Sequence, residues 1–289
     1  LKVIVHQLKK HPLKALSAKT MTPPTLPPPS STPSSHSRLE RLSLEPLTPS
    51  SFADFGTAIS PPFPPTLTHP PRTATTVPAP LHPPHQPAAV LANQNSALKT
   101  SPISQFANNY ARSPTNRPST PQMSMFSCFP RNLSGIGIDT TSPSAAGLGL
   151  GFKVEILERH PYTTQTFAPL GLSATDAGTM FLVIVAPSMP GSITATFADG
   201  SSKVVTNPPD LSRLRAFVAR GDQAVTYGPG TWHAPMVVLG QKRVDFLVTQ
   251  FVNGVAEDDC QEVLLGRNSV RVDLNGLRLQ DERGGGAKL

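Results

Sequence analysis

Residues 223–240 read QAVTYGPGTWHAPMVVLG. Two short runs rich in Val, Thr and Leu flank a Gly-Pro-Gly turn, which is the pattern of strand, tight turn and strand. The turn leads into the single tryptophan of the chain, Trp232, and then into His233, one of eight histidines. A histidine just past such a turn can bind a metal, move a proton or fill space. The rest of the chain has to decide among these.

The same strand pattern fills the C-terminal half. From residue 152 onward KVEILER, TQTFAPL, MFLVIVAP, SITATF, LRAFVA, QAVTY, PMVVLG and VDFLVTQFV are short, β-branched or aromatic, and separated by Gly, Pro, Asp or Ser. Regular short strands with turn signals predict a sandwich or barrel. No βα unit repeats, which argues against a parallel α/β sheet. The longest apolar run, Met180 to Pro187, has the length of a strand. It falls well short of the roughly 20 residues that span a membrane, so no membrane partner is expected.

The N-terminal half is different. The chain has 289 residues and 34 prolines, most of them before residue 135. A Pro/Ser/Thr-rich segment buries too little apolar surface to offset the entropy of ordering it. Residues 1–39 are therefore expected to be disordered or a leader. A folded domain is expected over 40–275, with Pro- or Gly-rich loops at 60–88 and 131–151, and a flexible tail over 276–289. Within LEPLTPSSFADFGTAI (44–59), Thr48 before Pro49 predicts a helix start, Phe52 and Phe55 share its face, and Gly56 ends it. AVLANQNSALK (89–99) and MSMFSCFP (123–130) predict one strand each, and PPDLSRL one helical turn.

The net charge is +7. Much of it sits in the first twenty residues, which contain no acid. No Arg/Lys stripe interleaved with aromatics crosses the strand-rich half, so no nucleic-acid partner is expected. Two isolated cysteines, Cys128 and Cys260, give neither a metal knuckle nor a disulfide framework.

Polar residues concentrate in two places within the β pattern. In ILERHPYTTQTFAPLG (156–171), Glu158 and His160 lie two apart and face one side of a strand. Gln165 and Phe167 continue on the next strand. In GDQAVTYGPGTWHAP (221–235), a strand ends at Tyr227 and His233 opens the next. A barrel brings inward side chains of neighbouring strands within reach, so Glu158, His160, Gln165 and His233 could share one pocket. Plainer readings stand beside these: an exposed Glu-x-His pair, Trp232 as packing, and Arg215 in a rim salt bridge.

GTWHAPMVVLG, DLSRLRAF and LERHPYTTQTFAPLG together resemble the ureidoglycolate lyase (ureidoglycolate hydrolase) family of fungal type. LTPSSFADFGTAI, ANQNSALK and MFSCFPR resemble that family's earlier segments, over roughly 44–265. Asn95 and Ser127 depart from it, standing where the family leads one to expect glycine and arginine. The resemblance implies a mainly β, cupin-like β-barrel with a few short helices, working as a homodimer. Its reaction is the cleavage of ureidoglycolate to glyoxylate and urea, a step of allantoin and purine degradation. The same residues leave open a non-catalytic cupin-like binding or regulatory protein, or an amidohydrolase releasing ammonia.

Carried onto this chain, the resemblance makes His233, His160 and Glu158 the catalytic candidates. Arg215 would neutralise the substrate carboxylate, and Gln165, Tyr227, Trp232, Asn93 and Lys99 would contact the substrate. The Gly-Pro-Gly turn before His233 resembles a second cupin motif. No cofactor is required by the sequence, but His160 and His233 leave room for a divalent metal, nickel or zinc. The final Ala-Lys-Leu resembles a peroxisomal address, so a peroxisomal location is expected ahead of a cytoplasmic one.

Overall fold

The computed structural model describes residues 22–28, 41–131, 133, 151–275 and 277. The expected leader outside 22–28, most of the loop at 131–151, and the tail with its Ala-Lys-Leu lie outside the described residues. Within them the strands in chain order are β1 (Arg41–Leu42), β2 (Leu44–Pro46), β3 (Gly56–Ile59), β4 (Ala89–Ala92), β5 (Ala97–Thr100), β6 (Thr120–Cys128), β7 (Gly151–Val154), β8 (Ile156–Arg159), β9 (Gln165–Leu170) and β10 (Thr179–Ala186). They continue as β11 (Ser192–Thr196), β12 (Ser202–Thr206), β13 (Arg215–Ala219), β14 (Ala224–Tyr227), β15 (Trp232–His233), β16 (Val237–Gly240), β17 (Val244–Val252), β18 (Gln261–Leu264) and β19 (Val270–Asp273). The α-helix among the described residues is α1 (Ala256–Asp259), and no helix there is long and apolar enough to cross a membrane.

Two sheets carry the architecture. One runs β18-β8-β15-β10-β13-β2, with β16 also on β10; the other runs β3-β14-β9-β17-β6. β10 lies inside the first sheet, and every one of its residues is buried. Its even positions (Met180, Leu182, Ile184, Ala186) enter one core with Leu157, Trp232 and Val272. Its odd positions (Phe181, Val183, Val185) enter a second core with Phe167, Phe217, Tyr227 and Phe246. A strand covered on both faces needs apolar residues at every position, which explains the unbroken run.

The mainly β expectation holds, but a closed barrel does not form. The sheets stack across the second core as separate ladders, and an isolated bridge between Pro130 and Val238 links the end of β6 to the first sheet. Proline donates no N–H, so Pro130 cannot carry the β6 ladder across the corner.

Three local expectations change. Residues 48–55 form turns, not a helix: Phe52 N–H reaches Thr48 O at 3.1 Å, but Gly56 then takes φ +143° and opens β3. Phe52 and Phe55 do share a buried face, with ring centroids 5.7 Å apart. Residues 89–100 are a hairpin, β4 on β5, because Asn93, Gln94 and Asn95 take φ of +49°, +57° and +66°. Asn95 stands where glycine was expected because the turn needs the left-handed region, which Asn tolerates best after glycine. Residues 22–28, expected to be disordered, add an extended piece instead. Thr25 exchanges backbone bonds with Thr196 at 2.8 and 2.9 Å, Leu26 N–H reaches Leu264 O at 2.8 Å, and Leu26 is buried.

Candidate active site

β15 is only two residues long, yet it sets the site. Its neighbours are β10 and β8, so His233 lies opposite Val185 on one side and Glu158 on the other. Glu158 in turn lies opposite Glu262 of β18. His160, two residues past Glu158, keeps to the same face. The turn before β15 is tied down on several sides. Gly230 N–H reaches His160 O at 2.9 Å, Gly228 N–H reaches Phe55 O at 2.8 Å, and Thr231 Oγ1 donates to Phe55 O at 3.0 Å.

Alternation sends Trp232 the other way. It is fully buried in the first core, its Nε1 donates to Asn207 O at 3.0 Å, and the Arg159 guanidinium lies 4.5 Å over its ring. Trp232 therefore packs behind the site. Tyr227 faces the site, its ring stacked on His233 at 3.9 Å and 10°.

Both histidines are buried, and their hydrogen bonds define their tautomers. His160 Nδ1 lies 2.6 Å from Asp259 O, and His233 Nδ1 lies 3.0 Å from Thr231 O. A carbonyl oxygen only accepts, so each Nδ1 carries a proton, and in the neutral ring the lone pair is then on Nε2. Both Nε2 atoms are buried without a hydrogen-bond partner. They converge with Glu158: one ligating atom from each of Glu158, His160 and His233 lies within 4.8 Å of the others. Glu158 Oε1 to His233 Nε2 is 3.4 Å, too long for a good hydrogen bond.

Electrostatics follow from the burial. Desolvation, with His233 nearby, pushes His160 down to about 4, so its imidazole is neutral at neutral pH. Burial opposes the charge on Glu158, but a protonated His233, through a hydrogen bond and its charge, and a protonated His160, through its charge, outweigh it and hold the carboxyl below its ordinary value. The Asp259 carboxylate anchors the turn that carries the His160 acceptor. It takes N–H groups of Asn253 and Gly254, each at 2.8 Å, and the Tyr110 hydroxyl at 2.7 Å.

Gln165 also reaches the cluster, beside the His160 ring. It is buried, and its Nε2 donates to Gln250 Oε1 at 2.6 Å. Arg215 is placed elsewhere. It makes a two-pronged pair with Glu45, donates to Ser51 O at 2.8 Å, and lies over Phe217, so its donors are engaged away from the histidines. Asn93 and Lys99 are exposed on the β4–β5 hairpin, whose strands pair with each other. Ser127 lies opposite Asp245 on β17, one residue out of step with Phe126 and Cys128, which face the second core. It therefore points away from the face that carries the histidines.

Sequence reasoning missed Glu262, Cys260 and Gln250. Glu158, Cys260 and Glu262 form a second cluster within 4.8 Å, and burial together with the Glu158 charge raises Glu262. Their sequence signal is weak: the two-residue spacing of Cys260 and Glu262, and the position of Gln250 within the β17 run, say nothing of what each faces.

The family described as ureidoglycolate lyase matches residues 39–273. The chain is 36% identical over 175 residues to the ureidoglycolate lyase of Saccharomyces cerevisiae, covering 59% of this chain and 75% of that protein. It is 36% identical over 172 residues to the one from Schizosaccharomyces pombe, covering 60% and 75%. A bacterial ureidoglycolate lyase, from Burkholderia mallei, is 38% identical over 99 residues, covering 34% and 44%. The matched residues contain the whole Glu158–His160–His233 cluster, and the chain belongs to the ureidoglycolate lyase family.

Proposed function

We propose that this chain cleaves ureidoglycolate to glyoxylate and urea at the Glu158–His160–His233 cluster. The observation that carries this is the pair of buried Nε2 lone pairs converging on one carboxylate. The reaction moves one proton from oxygen to nitrogen. A base takes the proton from the substrate hydroxyl, the carbonyl forms as the C–N bond breaks, and the departing urea nitrogen takes a proton back. In this reading His233 Nε2 accepts that proton and returns it. Glu158, 3.4 Å away, stabilises the imidazolium in between. His160, held neutral, keeps a second acceptor beside it. Tyr227 under the His233 ring, and Thr231 O on its Nδ1, fix the plane in which Nε2 points.

The same three groups suit a divalent metal, nickel or zinc. Each histidine gives its Nδ1–H to a backbone carbonyl, the supporting pattern that orients metal-binding imidazoles. When bound, such an ion would act as a Lewis acid on a substrate oxygen. A cupin-like arrangement is supported by the Gly-Pro-Gly turn leading into His233. A homodimer is supported by the edge strand β6 and its end, where Met123, Met125, Phe126 and Phe129 are exposed.

The test is a product assay on the purified chain with ureidoglycolate, with and without chelator. Urea and glyoxylate should appear in equal amounts without ammonia, and His233→Ala should lose activity. Ammonia as first product would make the chain an amidohydrolase, and full turnover by His233→Ala would remove the cluster from the chemistry.

A further inference from the structure

Four side chains line up across four strands on the face that meets His233. Tyr227 of β14 is in register with Gln165 of β9, Gln165 with Gln250 of β17, and Gln250 with Gln122 of β6. Residues in register share a face, and this face is the one on which Tyr227 stacks against His233. The row starts under the histidines and runs out to Gln122, which is exposed at the sheet edge. The next row on the same face, Val225, Phe167, Val248 and Ser124, is mostly apolar and belongs largely to the second core. Carboxamides thus occupy the row beside the histidines and not the one behind it.

Gln165 is only 3% exposed, and its Oε1 is buried with no partner, although its Nε2 is bonded to Gln250 Oε1 at 2.6 Å. A native structure keeps few such atoms; the neighbouring His160 ring, neutral and with its proton on Nδ1, has none to give, so this unmatched acceptor calls for a donor from outside the chain. Gln165 Oε1, Glu158 and the two histidine Nε2 atoms make a wall of acceptors. The Gln250 oxygen is taken by Gln165, which leaves its amide N–H groups to donate.

We propose that Gln165 and Gln250 are the subsite that recognises a ureido group, with Gln122 extending it toward the mouth. A ureido group is planar, carries N–H donors on both nitrogens and has one carbonyl acceptor. Its N–H groups meet Gln165 Oε1, and its carbonyl meets the Gln250 amide. This rests on the lyase reading and assigns one end of its substrate: the leaving group lies along the glutamine row, and the carbon bearing hydroxyl and carboxylate lies at the histidines.

The experiment uses the two products as separate probes, urea and glyoxylate, each as an inhibitor and each as a ligand in ligand-observed NMR. Gln250→Leu and Gln165→Leu should raise KM about tenfold with kcat within about twofold, the scale of one or two lost hydrogen bonds. Urea inhibition should weaken by a similar factor while glyoxylate inhibition stays unchanged. Gln122→Leu, at an exposed edge position that folding does not depend on, should give a smaller shift in the same direction. Gln250→Glu keeps the shape but replaces the donor, and should lose urea binding as Gln250→Leu does. An active wild type whose urea inhibition is left unchanged by both Gln250→Leu and Gln250→Glu would overturn the subsite. A wild type that releases no urea, but binds urea in a Gln250-dependent way, would keep the subsite and overturn the lyase reading.

Discussion

Replacing Gly56 with alanine would put a Cβ 2.0 Å from the Thr226 carbonyl oxygen and 2.8 Å from the Gly228 nitrogen, on a backbone with φ +143°. Both neighbours are backbone, so the relief has to come from moving β3 away from β14. That movement strains two bonds to Phe55 O, from Gly228 N–H at 2.8 Å and Thr231 Oγ1 at 3.0 Å. Each bond contributes about 1 kcal/mol net, and a φ reserved for glycine adds about 1–3 kcal/mol. The expected loss is about 3–5 kcal/mol, a large part of the roughly 5–15 kcal/mol that holds a domain folded. Gly171→Ala is the matched control, since Gly171 has φ +73° but no atom within 4 Å of the added Cβ; it should cost only about 1 kcal/mol. Thermal melts and urea titrations compare the two, with a drop in Tm on the order of 10 °C for Gly56→Ala. Because the strained bonds hold the turn that ends at His233, kcat should also fall about a hundredfold. If Gly56→Ala is no more damaging than Gly171→Ala, the link from β3 to the turn is wrong.

Three further outcomes are expected. In chelator-treated protein His160 should titrate near pH 4, well below the usual value of about 6.5, as followed by NMR of its ring protons; a midpoint near the usual value would contradict its burial. The unfolded chain takes that proton first, so stability should decline as pH falls from about 6.5 to about 4, and His160→Gln should flatten this slope in denaturant titrations. Asn95→Gly should leave the melting temperature nearly unchanged while Asn95→Val lowers it, because residue 95 sits at φ +66°; equal melting of the two would show that the turn does not require that conformation. Leu26→Ala should cost about 2 kcal/mol or more, read from the urea midpoint, and a silent substitution would put residues 22–28 outside the folded unit.

Local pattern made much of the fold legible. Short β-branched and aromatic runs between turn residues marked the C-terminal strands, and the length of the Met180–Pro187 run marked β10 as a strand, though not that both its faces are covered. The two-residue spacing put Glu158 and His160 on one face, and the glycine-rich turn marked His233. Register was not legible, because it depends on partners far along the chain. Nothing near Arg215 announced Glu45, 170 residues away and joined to it across parallel strands. Nothing near Gln165 announced Gln250, 85 residues on. Residues 22–28 were hidden for another reason. Their prolines lower the count of N–H groups, but Pro24 O, Thr25 and Leu26 N–H are enough to dock an extended segment.

β10 belongs to both cores at once, and this governs how the molecule can be altered. No cut divides the chain into two pieces that each keep an intact interior, because removing this strand opens both. Its amides should therefore exchange with solvent only through global unfolding. Insertions in surface connections are cheap, since closure entropy grows only slowly with loop length. A chain whose cohesion is vested in one central strand can lengthen the segments between its outer strands freely, as the proline-rich excursion at 60–88 does, while the spacing around residues 179–186 stays fixed.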